Sequence, residues 1–214
     1  MLRFSEMKIG FIGCGTMGGT LAKRFAEAGH SVKVSARKKE DAEACAKQCG
    51  KNASAGSVKE AAAFGDIVVL AVPYSEISSA LMNAGDLKGK ILLDVTNALK
   101  PNSLELAVGY STSAAEEISK IAPEAKVVKA FNTTFAKTVA NPKFTDGKGA
   151  VFVASDHADA KKKVMDLANQ IGFEPYDAGP LKNARLLEPL GVLAMELGFP
   201  GGMGTGIAFK LIKQ

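Results

Sequence analysis

One stretch, Lys8 to Arg37 (KIGFIGCGTMGGTLAKRFAEAGHSVKVSAR), leaves this chain few folds to choose from. Lys8 to Ile12 is a short apolar run rich in Ile and Phe, which predicts a buried strand. Gly13, Gly15 and Gly18 follow at G-x-G-x-x-G spacing. Leu21, Ala22, Phe25 and Ala26 then recur at helical intervals, and Gly29 ends that helix. A second strand is predicted over Ser31 to Ser35. The glycines therefore stand between a strand and a helix, the context in which their spacing marks a dinucleotide-binding unit. Gly13 permits a tight turn, Gly15 lets the backbone approach a pyrophosphate, and Gly18 lets helix and strand pack closely. A helix starting at Thr16 and Met17 offers free N–H groups and the positive end of its dipole to the phosphates.

The end of the second strand decides which dinucleotide fits. An NAD site places a carboxylate there, on the ribose 2′-hydroxyl. Ser35, Ala36, Arg37 and Lys38 occupy these positions, and no acid appears before Glu40. A guanidinium binds a 2′-phosphate in bidentate fashion and a hydroxyl adds a donor, so the turn points to NADP(H) rather than NAD(H).

Further apolar runs predict strands at Asn52–Ala55, Asp66–Val72, Lys90–Val95, Lys126–Phe131, Gly149–Ala154 and Phe173–Tyr176. Helices are expected at Glu40–Cys49, Val58–Phe64 and Ala158–Ile171. Another carries Leu186, Leu187, Leu190, Leu193, Ala194 and Leu197 on one face, with a kink or a late start at Pro189. The alternation implies βαβ units, hence an α/β, Rossmann-type doubly wound parallel sheet. Residues 1–155 form its dinucleotide-binding core, and residues 156–214 form a short βα extension completing the same compact unit. Ala71, Val72, Pro73, Tyr74, Thr96, Asn97, Asn132 and Thr133 lie at or just past strand ends, where open α/β sheets bind ligands. The Gly-rich tail, Gly201 to Gly206, is either a flexible loop or a close backbone approach to a ligand.

The net charge of +5 is spread along the chain, with Lys161–Lys163 read as a solvated helix face. With no aromatic-basic interleaving, nucleic acid is not an expected partner. No apolar run approaches a membrane span, and Met1 to Glu6 carry no signal-peptide core, so the cytoplasm is expected. Cys14, Cys45 and Cys49 lack a metal-ligand pattern and read as reduced thiols. His30 and His157 are distant and suggest neither a metal site nor a catalytic base. This scarcity of acid–base groups suits hydride exchange between two bound cofactor rings, where the protein chiefly positions the rings and excludes water.

Several segments resemble the coenzyme F420-dependent NADP oxidoreductases, whose relatives include the NADPH-binding domains of the six-transmembrane epithelial antigen ferric reductases. They are GFIGCGTMGG (10–19), VSARK (34–38), TSAAEEI (112–118), VVKAFNT (127–133) and DAGPLKNARLLEPL (177–190). The resemblance implies NADP(H) in the cleft, with Arg37 and Ser35 on the 2′-phosphate and Tyr74 beside the nicotinamide. It also implies a small-molecule redox acceptor (coenzyme F420 or a flavin) approached by the glycine tail, and a homodimer. Ala36 and Tyr74 depart from the Ser and Trp that deazaflavin-using members often carry. KIGFIGCGTMGG and DIVVLAVP are also similar to pyrroline-carboxylate reductase, an NADPH-dependent imine reductase. A non-catalytic NADPH-binding regulatory module fits the same residues.

Overall fold

Strands without polar alternation need cover on both faces. In the computed structural model, which describes residues 6–212 and 214, helices provide it. Of the stretch read for a signal peptide, Met1–Ser5 lie outside the described residues. The first half runs β1 (Lys8–Ile12), α1 (Thr16–Glu27), β2 (Ser31–Ser35), α2 (Lys39–Cys49), β3 (Ala53–Ala55), α3 (Val58–Phe64). The second runs β4 (Ile67–Leu70), α4 (Ile77–Ala84), β5 (Ile91–Asp94), α5 (Ala114–Ile121), β6 (Lys126–Lys129). These strands form one parallel sheet of six in the order β3-β2-β1-β4-β5-β6. Strand order reverses between β1 and β4, and a crevice opens at such a switch point.

One face of the sheet packs against α1 and α2, with Leu21, Ala22, Phe25 and Ala26 of α1 buried as the helical spacing predicts. Phe11, Phe25, Phe131 and Phe173 run through this core as a chain of tilted and edge-on rings 6.2–6.3 Å apart. The other face is covered by α3, α4 and α5, which bury Leu70, Leu92 and Ile118.

After β6 the chain forms α6 (Ala136–Ala140), a hairpin of β7 (Lys143–Phe144) and β8 (Gly147–Lys148), and β9 (Ala150–Val153). Then come α7 (Ala158–Gln170), β10 (Glu174–Asp177) and α8 (Ala184–Gly198). Here the structure corrects the sequence reading. Lys129 and Ala154 exchange backbone hydrogen bonds of 2.9 and 3.0 Å in an antiparallel bridge, so β9 runs against β6. A parallel return is usually made by a crossover helix, and the helix between β6 and β9 has only five residues. The end of β9 accordingly lies back along β6, where Ser155 Oγ donates to the Val127 carbonyl at 2.6 Å. β10 pairs with β9 in parallel.

Of the two expectations at Pro189, a kink or a late start, the late start is not observed. α8 begins at Ala184 and carries Pro189 inside it. The glycine tail folds back on the molecule: Met203 N donates to Leu197 O (3.1 Å), Gly204 N to Gly198 O (2.9 Å), and Ala150 N to Phe209 O (2.8 Å). Among the described residues, no helix is long and apolar enough to cross a membrane.

Candidate functional site

The turn from β1 into α1 is built from glycines that sterics leave no choice about. Gly13 has φ +95°, and a Cβ there would lie 2.4 Å from the Ala71 carbonyl oxygen. A Cβ on Gly18 would lie 2.2 Å from Gly13 O, inside the contact between helix and strand. Gly15 differs, for nothing stands within 4 Å of where its Cβ would be. The α1 N-terminus beyond it has no side-chain cap and no acidic residue in its first turn. Uncapped N–H groups, a positive dipole end and open space above Gly15 fit a dianionic pyrophosphate. Cys14 sits in the same turn. Burial, then the neighbouring Cys45, push its thiol up to about 12, so it adds no negative charge beside a phosphate.

A cleft of about 1320 Å³ opens over this turn. Of the residues singled out in the sequence, Gly13, Gly15, Thr16, Ala36, Arg37, Ala71, Val72 and Pro73 line it. Arg37 is exposed at the end of β2 and makes no ion pair among the described residues. Ser35 is a correction: it is fully buried, and its hydroxyl donates to the Phe11 carbonyl at 2.7 Å, inside the sheet and away from Arg37. Lys38 is exposed outside the lining, where it is the N-cap residue of α2. Met17 packs beneath the turn against the core.

Tyr74 does not line the cleft. Its hydroxyl donates to Glu117 Oε2 on α5 at 2.6 Å, and burial followed by that carboxylate pushes the phenol up to about 12. Thr96, Asn97, Asn132 and Thr133 gather at the ends of β5 and β6, beneath α8. Asn132 Nδ2 donates to Asn97 Oδ1 (3.1 Å) and to the Leu187 carbonyl of α8 (2.7 Å). Asn97 Nδ2 donates to Asn132 O at 3.2 Å. Thr96 Oγ1, Asn132 Oδ1 and Thr133 Oγ1 are buried without a partner. Such orphaned oxygens are costly, and a polar group reaching the strand ends would relieve them.

Below this layer lies a cluster that the sequence reading missed. Lys129, Asp94 and Glu188 are each fully buried. Lys129 Nζ lies 2.9 Å from Asp94 Oδ2, 3.0 Å from Glu188 Oε1 and 2.7 Å from the Thr96 carbonyl. Burial alone would lower the lysine pKa; the two carboxylates outweigh it and hold the ammonium above its ordinary value. Glu188 also accepts from Ala114 N (3.0 Å) and Ala115 N (3.3 Å), at the start of α5. A lone charge inside each of three apolar runs (VVKAF, ILLDV, LLEPL) was the available signal. Among the described residues, no group of three or more His, Cys, Asp or Glu could hold a metal ion.

Residues 8–98 match the family model described as NADP oxidoreductase, coenzyme F420-dependent. The F420-dependent NADP reductase of Methanocaldococcus jannaschii is 32% identical over 221 residues, covering 94% of this chain and 97% of that protein. The chain belongs to the F420-dependent NADP oxidoreductase family. Family likeness extends to three dimensions. A candidate F420-dependent NADP reductase from an Arthrobacter species, solved by crystallography, superposes with a TM-score of 0.87 at 30% identity, over 97% of this chain and all of that one. The metalloreductase STEAP3 of Rattus norvegicus is 33% identical over 86% of this chain, which spans only 36% of that relative. An imine reductase from a Pseudomonas species, at 17% identity and a TM-score of 0.68, shares the fold alone.

Proposed function

We propose that the protein is an NADP(H)-dependent oxidoreductase, acting as a homodimer, that moves a hydride between NADPH and a deazaflavin acceptor of the coenzyme F420 type. One juxtaposition carries this reading. The open space above Gly15 shares a cleft with Arg37, which makes no ion pair among the described residues, in a chain that aligns nearly end to end with F420-dependent NADP reductases. Bound NADPH supplies the hydride. The α1 N-terminus holds the pyrophosphate, Arg37 holds the 2′-phosphate, and Ala71, Val72 and Pro73 form an apolar wall that keeps water from the cofactor. Thr96, Asn97, Asn132 and Thr133 offer hydrogen bonds at the sheet edge, where Lys129 holds the Thr96 carbonyl and α8 holds Asn132. The chain needs no nucleophile for such a transfer, because its contribution is position and dryness.

An acceptor screen tests this. Purified protein and NADPH are mixed with coenzyme F420, free flavin, a ferric chelate or a cyclic imine, and nicotinamide absorbance is followed. Fastest turnover is expected with coenzyme F420. Turnover of the ferric chelate alone would place the protein functionally with the metalloreductases, and turnover of the imine alone would end the deazaflavin assignment. Binding of NADPH without any turnover would leave a sensing module.

A further inference from the structure

The 2′-phosphate of NADP is a monoester that carries roughly −1.5 to −2 charge near pH 7. Arg37 offsets only one of those charges. Other cations around the cleft are engaged or misplaced: Lys23 and Arg24 face Glu27, at 4.0 and 3.0 Å, and Lys38 is outside the lining. Lys59 is neither. It lines the cleft and makes no ion pair among the described residues.

The sheet register brings the start of α3, which carries Lys59, beside the turn that carries Arg37, while the Lys59 stem lies against the end of α4, its Cγ 4.0 Å from where a Cβ on Gly85 would stand. β2 and β3 are parallel neighbours with Val34 opposite Ala55, and Gly56 N donates to Val34 O at 3.0 Å. The chain after β3 therefore leaves the sheet edge beside the turn that carries Arg37. Its first helical turn is fixed by a capping box, in which Ser57 N and Ser57 Oγ both donate to Glu60 Oε2, at 2.7 and 2.8 Å. That locks the base of Lys59 and occupies the one carboxylate adjacent to it in sequence. The cleft's other carboxylates, Asp41 in the first turn of α2 and Glu76 before α4, form no ion pair with Lys59.

We propose that Lys59 is the second cation of the 2′-phosphate subsite, facing Arg37 across the cleft, and that the pair sets the preference for NADP(H) over NAD(H). This rests on the placement of the 2′-phosphate at Arg37 described above. An ammonium and a guanidinium on separate elements can neutralise a dianion that one of them cannot.

Dissociation constants for NADPH and NADH, measured by calorimetry at two salt concentrations, test the assignment in the wild-type chain and in Lys59→Gln, Lys59→Arg and Arg37→Ala. Losing one charge-assisted contact should weaken NADPH about tenfold in Lys59→Gln, while NADH binding stays within about twofold. The salt dependence of NADPH binding should flatten, and Lys59→Arg should keep the wild-type preference. If Arg37→Ala weakens NADPH selectively while Lys59→Gln leaves it unchanged, or weakens both coenzymes equally, Lys59 has no such role. Equal weakening of both coenzymes in Arg37→Ala would remove the 2′-phosphate from this end of the cleft and overturn the underlying placement as well.

Discussion

His30 holds two hydrogen bonds that only a neutral imidazole can hold together. Its Nε2 lies 2.7 Å from Gln170 Oε1, and its Nδ1 accepts from Met7 N at 3.3 Å. The glutamine oxygen can only accept, so the proton is on Nε2, and a second proton on Nδ1 would cost the Met7 bond. Burial lowers the His30 pKa below 6.5, and the bond to Gln170 offsets this only in part. A folded-state pKa below the unfolded one means that the group favours folding above about pH 6.5 and loses that contribution as pH falls. The melting temperature should therefore drop between pH 7.5 and 5.5 by more in the wild-type chain than in His30→Phe, which cannot titrate. Parallel profiles in differential scanning calorimetry would show that His30 is not responsible. Residue chemistry was legible where it faced solvent or ligand. Arg37 stood out because it replaces an expected carboxylate. Ser35 was misread because nothing in a short run of SVKVS tells which hydroxyl turns into the sheet to meet Phe11 O.

Among the elements, β1, β2 and α3 have the bounds their patterns predict, because a glycine stands at or near one end of each (Gly13, Gly29, Gly65) and a capping box starts α3. Helices α4 and α5 escaped notice. Each is only eight residues long, which gives about two turns of periodicity to read. α5 also owes its start to a distant residue. Ser113 accepts from Glu116 N, but the first N–H groups are satisfied by Glu188, which α8 delivers from 73 and 74 positions away. A carboxylate at a helix N-terminus is favoured by the dipole as well as by those bonds. Removing Glu188 leaves Lys129 with Asp94 alone and strands the two N–H groups that start α5, at roughly 3–5 kcal/mol in all. Glu188→Ala should thus lower the melting temperature by about 6–20 °C, given ~2–4 °C per kcal/mol at this size. Glu188→Gln, which still accepts from α5, should lose less. Equal melting of all three proteins would mean that the cluster adds no net stability.

At the scale of the whole molecule, the six-stranded parallel half followed from the alternation of apolar runs and helices. The remainder did not, because a strand's sequence carries no sign of its direction. β9 (AVFV) is at least as apolar as β6 (KVVK), and the mark against a parallel return was that residues 130–149 hold only a five-residue helix. The two halves are joined by more than chain. Phe131 meets Phe173 edge-on at 6.3 Å, α7 buries Val164 and Leu167 in the same core as Phe25, and Glu188 of α8 closes on Lys129 of β6. Taking the C-terminal extension away would expose that apolar core and leave Lys129 with one counter-ion fewer, so neither part should unfold first. A single thermal transition is expected, with coincident curves from far-ultraviolet circular dichroism and from tyrosine fluorescence, to which Tyr74 and Tyr110 on one side of the junction and Tyr176 on the other contribute. NADPH bound in the cleft proposed for it would favour the folded state alone and should move that one transition upward as a unit. Two separated transitions, with only the lower or only the upper shifted by NADPH, would show that residues 156–214 form a unit that folds by itself.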